Sequence, residues 1–106
     1  MLINEWCKNI SKWRKEKKFY TPTRIDSESL RDAMLGKLML VVTEIAEAAE
    51  AVRHNDMDNF IEEIADTQIR IMDIAGSCGI DLENAITKKM KINQERPIRH
   101  NKKCSL

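Results

Sequence analysis

The stretch Leu38–Gly76, LMLVVTEIAEAAEAVRHNDMDNFIEEIADTQIRIMDIAG, decides the fold. On either side of the break His54-Asn55-Asp56 runs an apolar segment of helical period, and each segment carries an acidic pair, Glu44-x-x-Glu47 and Glu63-x-x-Asp66. Residues three apart are neighbours on one face of a helix, so each pair sets two carboxylates side by side. A break this short makes the two helices antiparallel neighbours. Glu47 stands eight positions before Asn55 and Glu63 eight after it; at a rise of about 1.5 Å per residue they sit at similar heights. The hairpin therefore can gather all four acids, provided both acidic faces turn to a common side. Four carboxylates share a partly buried site in charged form only when a cation offsets their repulsion. A hard divalent ion with oxygen ligands, Mg²⁺ above all, is the natural candidate.

Outward from the hairpin the chain reads as all-α, with four helices. The first spans about Asn4 to Lys18, with Trp6, Ile10 and Trp13 on one face and core packing expected for the tryptophans. A connection, Phe19 to Ser27, holds Pro22, and its Phe19 and Tyr20 are alternatives for covering a nucleobase. Ser27 or Ser29 caps the second helix, whose stripe Met34, Leu38, Val42, Ile45, Ala49 and Val52 is expected to face the core. Leu40, Val41 and Ala48 lie elsewhere on it, and a helix apolar on several sides is usually covered by several neighbours. Asp56 or Asp58 caps the third helix, which carries Phe60, Ile64, Ile71 and Ala75 on one side and ends around Gly76 and Gly79. Asp81 caps a fourth, from Leu82 to about Gln94, before Pro97.

Composition narrows the class. With 106 residues, 42% apolar and 33% charged, the chain is one globular domain, 1–106, with a basic tail from about residue 98. No apolar run approaches the roughly 18 residues of a membrane span. The N-terminus lacks the layout of a secretion signal, so a cytoplasmic location is expected. Cys7, Cys78 and Cys104 form no C-x-x-C pair and read as reduced thiols. The net charge of +1 hides a segregation. Residues 1–20 carry six Lys/Arg against two acids, 44–73 nine acids against Arg53 and Arg70, and 86–106 seven Lys/Arg against Glu95. Carboxylates for a cation between bases for an anion suit a metal-and-phosphate site, although a solvated bundle can show the same pattern.

Two other metal chemistries fail on spacing. Di-iron bundles need Glu-x-x-His on two helices, and neither His54 nor His100 follows a Glu by three. Catalytic zinc wants imidazole or thiolate at helical spacing, which is missing. An all-carboxylate set points to Mg²⁺, with Mn²⁺ as the alternative. On the anion side, Lys89, Asn93 and Arg96 share a face of the fourth helix, and Arg99, His100, Lys102 and Lys103 follow. Lys and Arg neutralise phosphate oxygens while an Asn amide orients them; a basic helix end favoured by the dipole is the alternative. Aromatics are not interleaved with the tail, which argues against nucleic acid.

The run Leu38 to Ala51, with Glu44, Glu47 and Glu50, resembles the first acidic motif of MazG-like nucleotide pyrophosphohydrolases. Phe60-Ile-Glu-Glu63-Ile-Ala-Asp66 resembles the second, and Lys89-Met-Lys-Ile-Asn93-Gln-Glu-Arg96-Pro97 with the basic residues after it resembles the third element. The resemblance covers roughly residues 34–103; Asn101 departs from it, because relatives often have Gly there. It implies an all-α, MazG-like four-helix bundle and a Mg²⁺-dependent enzyme; because a short four-helix chain buries little surface alone, the multi-sided apolar helices suggest that oligomerisation completes the bundle, as a homodimer or homotetramer. That enzyme would split the α–β bond of a nucleoside triphosphate into monophosphate and pyrophosphate. By the same likeness Glu44, Glu47, Glu63 and Asp66 would bind the metal, and Lys89, Asn93 and Arg96 would contact the phosphates. Glu50 and Glu62 are further acids available as outer ligands or to orient water. Competing classes are a non-catalytic helical module that binds nucleotides or a protein, a structural helical oligomer, and a phosphatase acting on esters.

Overall fold

The computed structural model describes residues 2–16 and 28–96. Four helices account for nearly all of them: α1 Ile3–Glu16, α2 Glu28–Arg53, α3 Met57–Ser77 and α4 Leu82–Gln94. Among the described residues there is no strand. The Phe19–Ser27 connection and the tail beyond Arg96 lie outside the described residues, and with them the roles considered for Phe19, Tyr20, Arg99 and His100.

The α2–α3 hairpin forms where the sequence predicts it. Asn55 takes φ 55°, the left-handed conformation that Asn tolerates after a helix, and Asp56 N–H donates to Ala51 O at 2.9 Å. Asp56 then caps α3 by accepting from Asn59 N–H at 3.1 Å. The α3–α4 corner repeats the device. Gly79 has φ 66°, Ile80 N–H donates to Ala75 O at 2.9 Å, and Asp81 accepts from Asn84 N–H at 3.1 Å.

Helices α1 and α2 both pack on α3, and this arrangement corrects the expected core. The face α2 turns to α3 holds Met34, Val41, Glu44, Ala48 and Ala51, all buried. Of the predicted stripe Met34 is buried, but the rest looks away: Leu38 is 46% exposed, Val42 51%, Ile45 54% and Val52 58%. The physical reason is that, among the described residues, α3 is the one element that covers α2 extensively, and it buries one of its apolar sides. Ile64 of α3 is likewise exposed, whereas Phe60 and Ile71 are half-buried and Ala75 is buried.

The tryptophans are a second correction. Trp6 and Trp13 are about half exposed, and α1 buries Cys7, Ser11 and Arg14 instead. Small and polar residues win because α1 crosses α3 very closely at Gly76. A Cβ there would collide with the Cys7 carbonyl and the Ser11 hydroxyl. Ser11 Oγ donates to Asp73 O at 3.0 Å, Arg14 Nε pairs with Asp73 Oδ1, and Arg14 Nη2 donates to Ser77 Oγ at 2.8 Å. At the other end of α1, Asn4 N–H donates to Glu83 Oε1 at 2.9 Å and Glu83 N–H to Asn4 Oδ1 at 3.2 Å. The first turns of α1 and α4 thus cap one another.

Candidate metal centre and the cleft beside it

Antiparallel register brings the acids of α2 and α3 together across their seam. Glu44, Glu63 and Asp66 each offer a carboxylate oxygen, and these oxygens all lie within 4.8 Å of one another. Glu44 is buried, Glu63 half-buried and Asp66 exposed, so the group grades from the helix interface to solvent. Glu47 is exposed one turn further along α2. It lines a shallow depression with Thr43, Glu50, Asn59 and Glu63.

The electrostatics separate the carboxylates sharply. Arg70 Nε–H donates to Glu44 Oε1 at 2.8 Å. That hydrogen bond is the main reason Glu44 is held below the usual carboxylate range. Glu63 is pushed the other way, to about 7. Hydrogen bonds to Glu47 and Glu44, which only protonated Glu63 can donate, come first; burial and repulsion by the same two groups add to them. Buried Glu63 Oε2 has no hydrogen-bond partner. A buried acceptor without a donor costs free energy, and a divalent cation with oxygen ligands would remove that cost. The donor set is all oxygen, hard and anionic, which fits Mg²⁺ or Mn²⁺.

Glu44 and Asp66 also line a cleft of about 850 Å³ between α1, α2 and α3. Its far end holds Arg14, Lys37 and Asp73, and its walls include Ile10, Trp13, Leu40 and Ile69. Lys37 Nζ donates to Asp73 Oδ2 at 3.1 Å, so the carboxylate ties α1, α2 and α3 at one point. Sequence reasoning gave no role to Arg14 or Lys37. A signal existed: Lys37 and Asp73 are each eighteen positions from Asn55, the same mirrored register that pairs Glu44 with Asp66 and Glu47 with Glu63.

The remaining predicted residues are placed differently. Lys89, Asn93 and Arg96 are exposed on or just beyond α4, which packs against α1. They do not line the cleft that holds Glu44 and Asp66. Glu50 is engaged on its own helix end, with Arg53 Nη1 at 2.6 Å and His54 Nε2 at 3.4 Å. Glu62 is exposed.

No helix among the described residues is long and apolar enough to cross a membrane. Comparison with curated proteins and with solved structures finds no match. The family model of the MazG nucleotide pyrophosphohydrolase domain matches residues 35–100, which takes in both acidic pairs, the hairpin between them and α4. Family match, helical order and the carboxylate cluster agree, and the chain belongs to the MazG nucleotide pyrophosphohydrolase domain family.

Proposed function

We propose that the protein is a Mg²⁺-dependent nucleoside triphosphate pyrophosphohydrolase that splits the α–β phosphate bond, releasing a monophosphate and pyrophosphate. One observation carries this reading. Three carboxylate oxygens from two helices converge within 4.8 Å, and the cluster contains a buried, unpartnered oxygen on Glu63. Glu44, Glu63 and Asp66 would hold the cation, with Glu47 beside Glu63 as the fourth acid. When bound, Mg²⁺ neutralises triphosphate charge and acidifies the attacking water. The chain's own part is to keep its acids in the right charge states and places. Arg70 keeps Glu44 ionised and oriented, while Glu47, exposed beside Glu63, would orient water or take its proton.

Lys89, Asn93 and Arg96 are the phosphate contacts in this reading. In one chain they stand on a helix packed against α1, away from the acid-lined cleft. Together with the exposed α2 stripe of Leu38, Val42, Ile45 and Val52, this favours a homodimer or homotetramer. Burial of that stripe between copies would cover the second apolar side of α2. Sedimentation of wild type beside Ile45→Glu tests the assembly: the variant is expected to run as a smaller species. A cytoplasmic location belongs to the same reading.

Product identification tests the reaction. Incubation of a nucleoside triphosphate panel with Mg²⁺ should give monophosphate and pyrophosphate by ³¹P NMR. Orthophosphate as the first product would place the enzyme in another phosphatase class. No turnover of any nucleotide by folded protein would favour the non-catalytic binding module.

A further inference from the structure

The cleft beside the acids has two unlike ends, and the sequence motifs account for only one. Glu44 and Asp66 stand at the first end. At the second, Lys37 projects from the same face of α2, seven residues and so about two turns before Glu44. Its Nζ lies 3.1 Å from Asp73 Oδ2, and its side chain is only 19% exposed. Asp73 is held in turn by the Ser11 hydroxyl and the Arg14 guanidinium, so the ammonium is anchored to a buried support. Between the ends the walls are mainly apolar and aromatic, Ile10, Trp13, Leu40 and Ile69, with the Arg70 guanidinium turned to Glu44.

A polyphosphate does not suit these walls: the cations that line the cleft, Arg14, Lys37 and Arg70, are each paired with a carboxylate, and phosphate oxygens need several donors or cations. A nucleobase suits them. It offers flat apolar faces and an edge of a few polar atoms, the pattern of small-molecule pockets. The volume, about 850 Å³, is within the range such pockets span. An ammonium group has three donors and no acceptor. It therefore matches a ring carbonyl, the O4 of uracil and thymine or the O6 of guanine, and opposes the amino groups of cytosine and adenine, which are donors.

Resting on the reading of the protein as a nucleoside triphosphate pyrophosphohydrolase, we propose that Lys37, anchored by Asp73, is a specificity-determining residue. It selects substrates whose base presents a carbonyl at that edge over those presenting an amino group. Bound this way, the nucleotide spans the cleft, with its base between Trp13 and Leu40 and its phosphates at the carboxylates.

The test is kcat/KM for pyrophosphate release from UTP, GTP, CTP and ATP with Mg²⁺, for the full-length wild type and for Lys37→Met and Lys37→Gln. Far-UV circular dichroism checks the fold, and tryptophan fluorescence follows binding of UMP and CMP. Wild type should prefer the carbonyl bases by about tenfold or more, because a site built around a hydrogen bond discriminates against bases that cannot make it. Lys37→Met should bring the ratio close to one. Lys37→Gln, able to donate and accept, should admit both base classes. Helix content is expected to persist, since Arg14, Ser11 and Ser77 still occupy Asp73. A wild-type ratio near one, a ratio unchanged in Lys37→Met, or an equal fall for all four substrates would each overturn the proposal. If no triphosphate is hydrolysed, the enzymatic reading fails separately. The UMP and CMP titrations then still decide the role of Lys37, by whether the preference exists and disappears with the ammonium.

Discussion

Arg70 of α3 donates its Nε–H to Glu44 Oε1 of α2 at 2.8 Å, a bond across the helix seam to the most buried acid of the cluster. The contact determines which carboxylate stays charged. Glu44, partnered, is held low; Glu63, facing only other acids at its carboxyl, is held high.

Replacing Arg70 by Met should raise the Glu44 pKa, readable in a ¹³C carboxyl titration by NMR. Because the folded-state pKa of Glu44 lies below its unfolded value, the pair stabilises the fold above about pH 4.5 and loses that contribution as pH falls through the depressed value. The Arg70 side chain is 41% exposed, so the loss in wild-type stability near neutral pH should be no more than about 1 kcal/mol.

Glu63 works with the opposite sign. Its folded-state pKa, about 7, lies above the ordinary 4.5. Its contribution to the stability of the metal-free protein is therefore fully present below about pH 4.5 and is lost as pH rises through about 7. Thermal melts of metal-free Glu63→Gln should lack this decline. A metal ligand must be deprotonated, so Mg²⁺ binding at about pH 6 should release a proton, and binding at about pH 8.5 should not. Calorimetry in buffers of different ionisation enthalpy reads this directly. Equal proton release at both pH values would remove Glu63 from the ligand set.

How the acids pair was legible in the sequence because register in a tight antiparallel hairpin is a matter of counting. Residues equidistant from Asn55 meet: Glu44 with Asp66, Glu47 with Glu63, and Lys37 with Asp73. Asp56, Asn55 and Asp81 announced the corners through ordinary cap chemistry. The core was legible only in part: Met34 and Ala75 are buried as the periodicity predicts. The strongest apolar stripe of α2, through Leu38, Val42, Ile45 and Val52, is exposed in one chain. Periodicity reports that a face is apolar and is silent on which neighbour covers it. The α1 face was misjudged for a related reason. Tight crossing at Gly76 favours Cys7 and Ser11 over the bulkier Trp6 and Trp13. The need for a small residue there depends on where α3 lies, which α1 alone does not encode.

Two glycines separate packing from propensity. Gly76→Ala should destabilise the protein by about 1–3 kcal/mol in urea melts, because its methyl group must push α1 away from α3. Gly36→Ala places a methyl group in open space within α2. It should instead stabilise by about 0.5–1 kcal/mol through helix propensity.

Asp73 is the point on which three helices converge. Asp73→Ala leaves the buried Arg14 without that carboxylate and Lys37 without its anchor. A loss of about 3–5 kcal/mol is expected from breaking a buried pair on one side. Chemical denaturation should also show α1 loosening first, seen as early exposure of the Cys7 thiol to a thiol reagent.

The central claim is that carboxylates from α2 and α3 do chemistry through a divalent cation. Pyrophosphate release at saturating Mg²⁺, measured for wild type, Glu47→Gln and Asp66→Asn, tests it most directly. Both changes remove a charge and keep the shape, so helix content should be retained. Rates should fall by about two orders of magnitude or more, roughly 3 kcal/mol in the barrier. Folded variants that release pyrophosphate as fast as wild type would contradict the account.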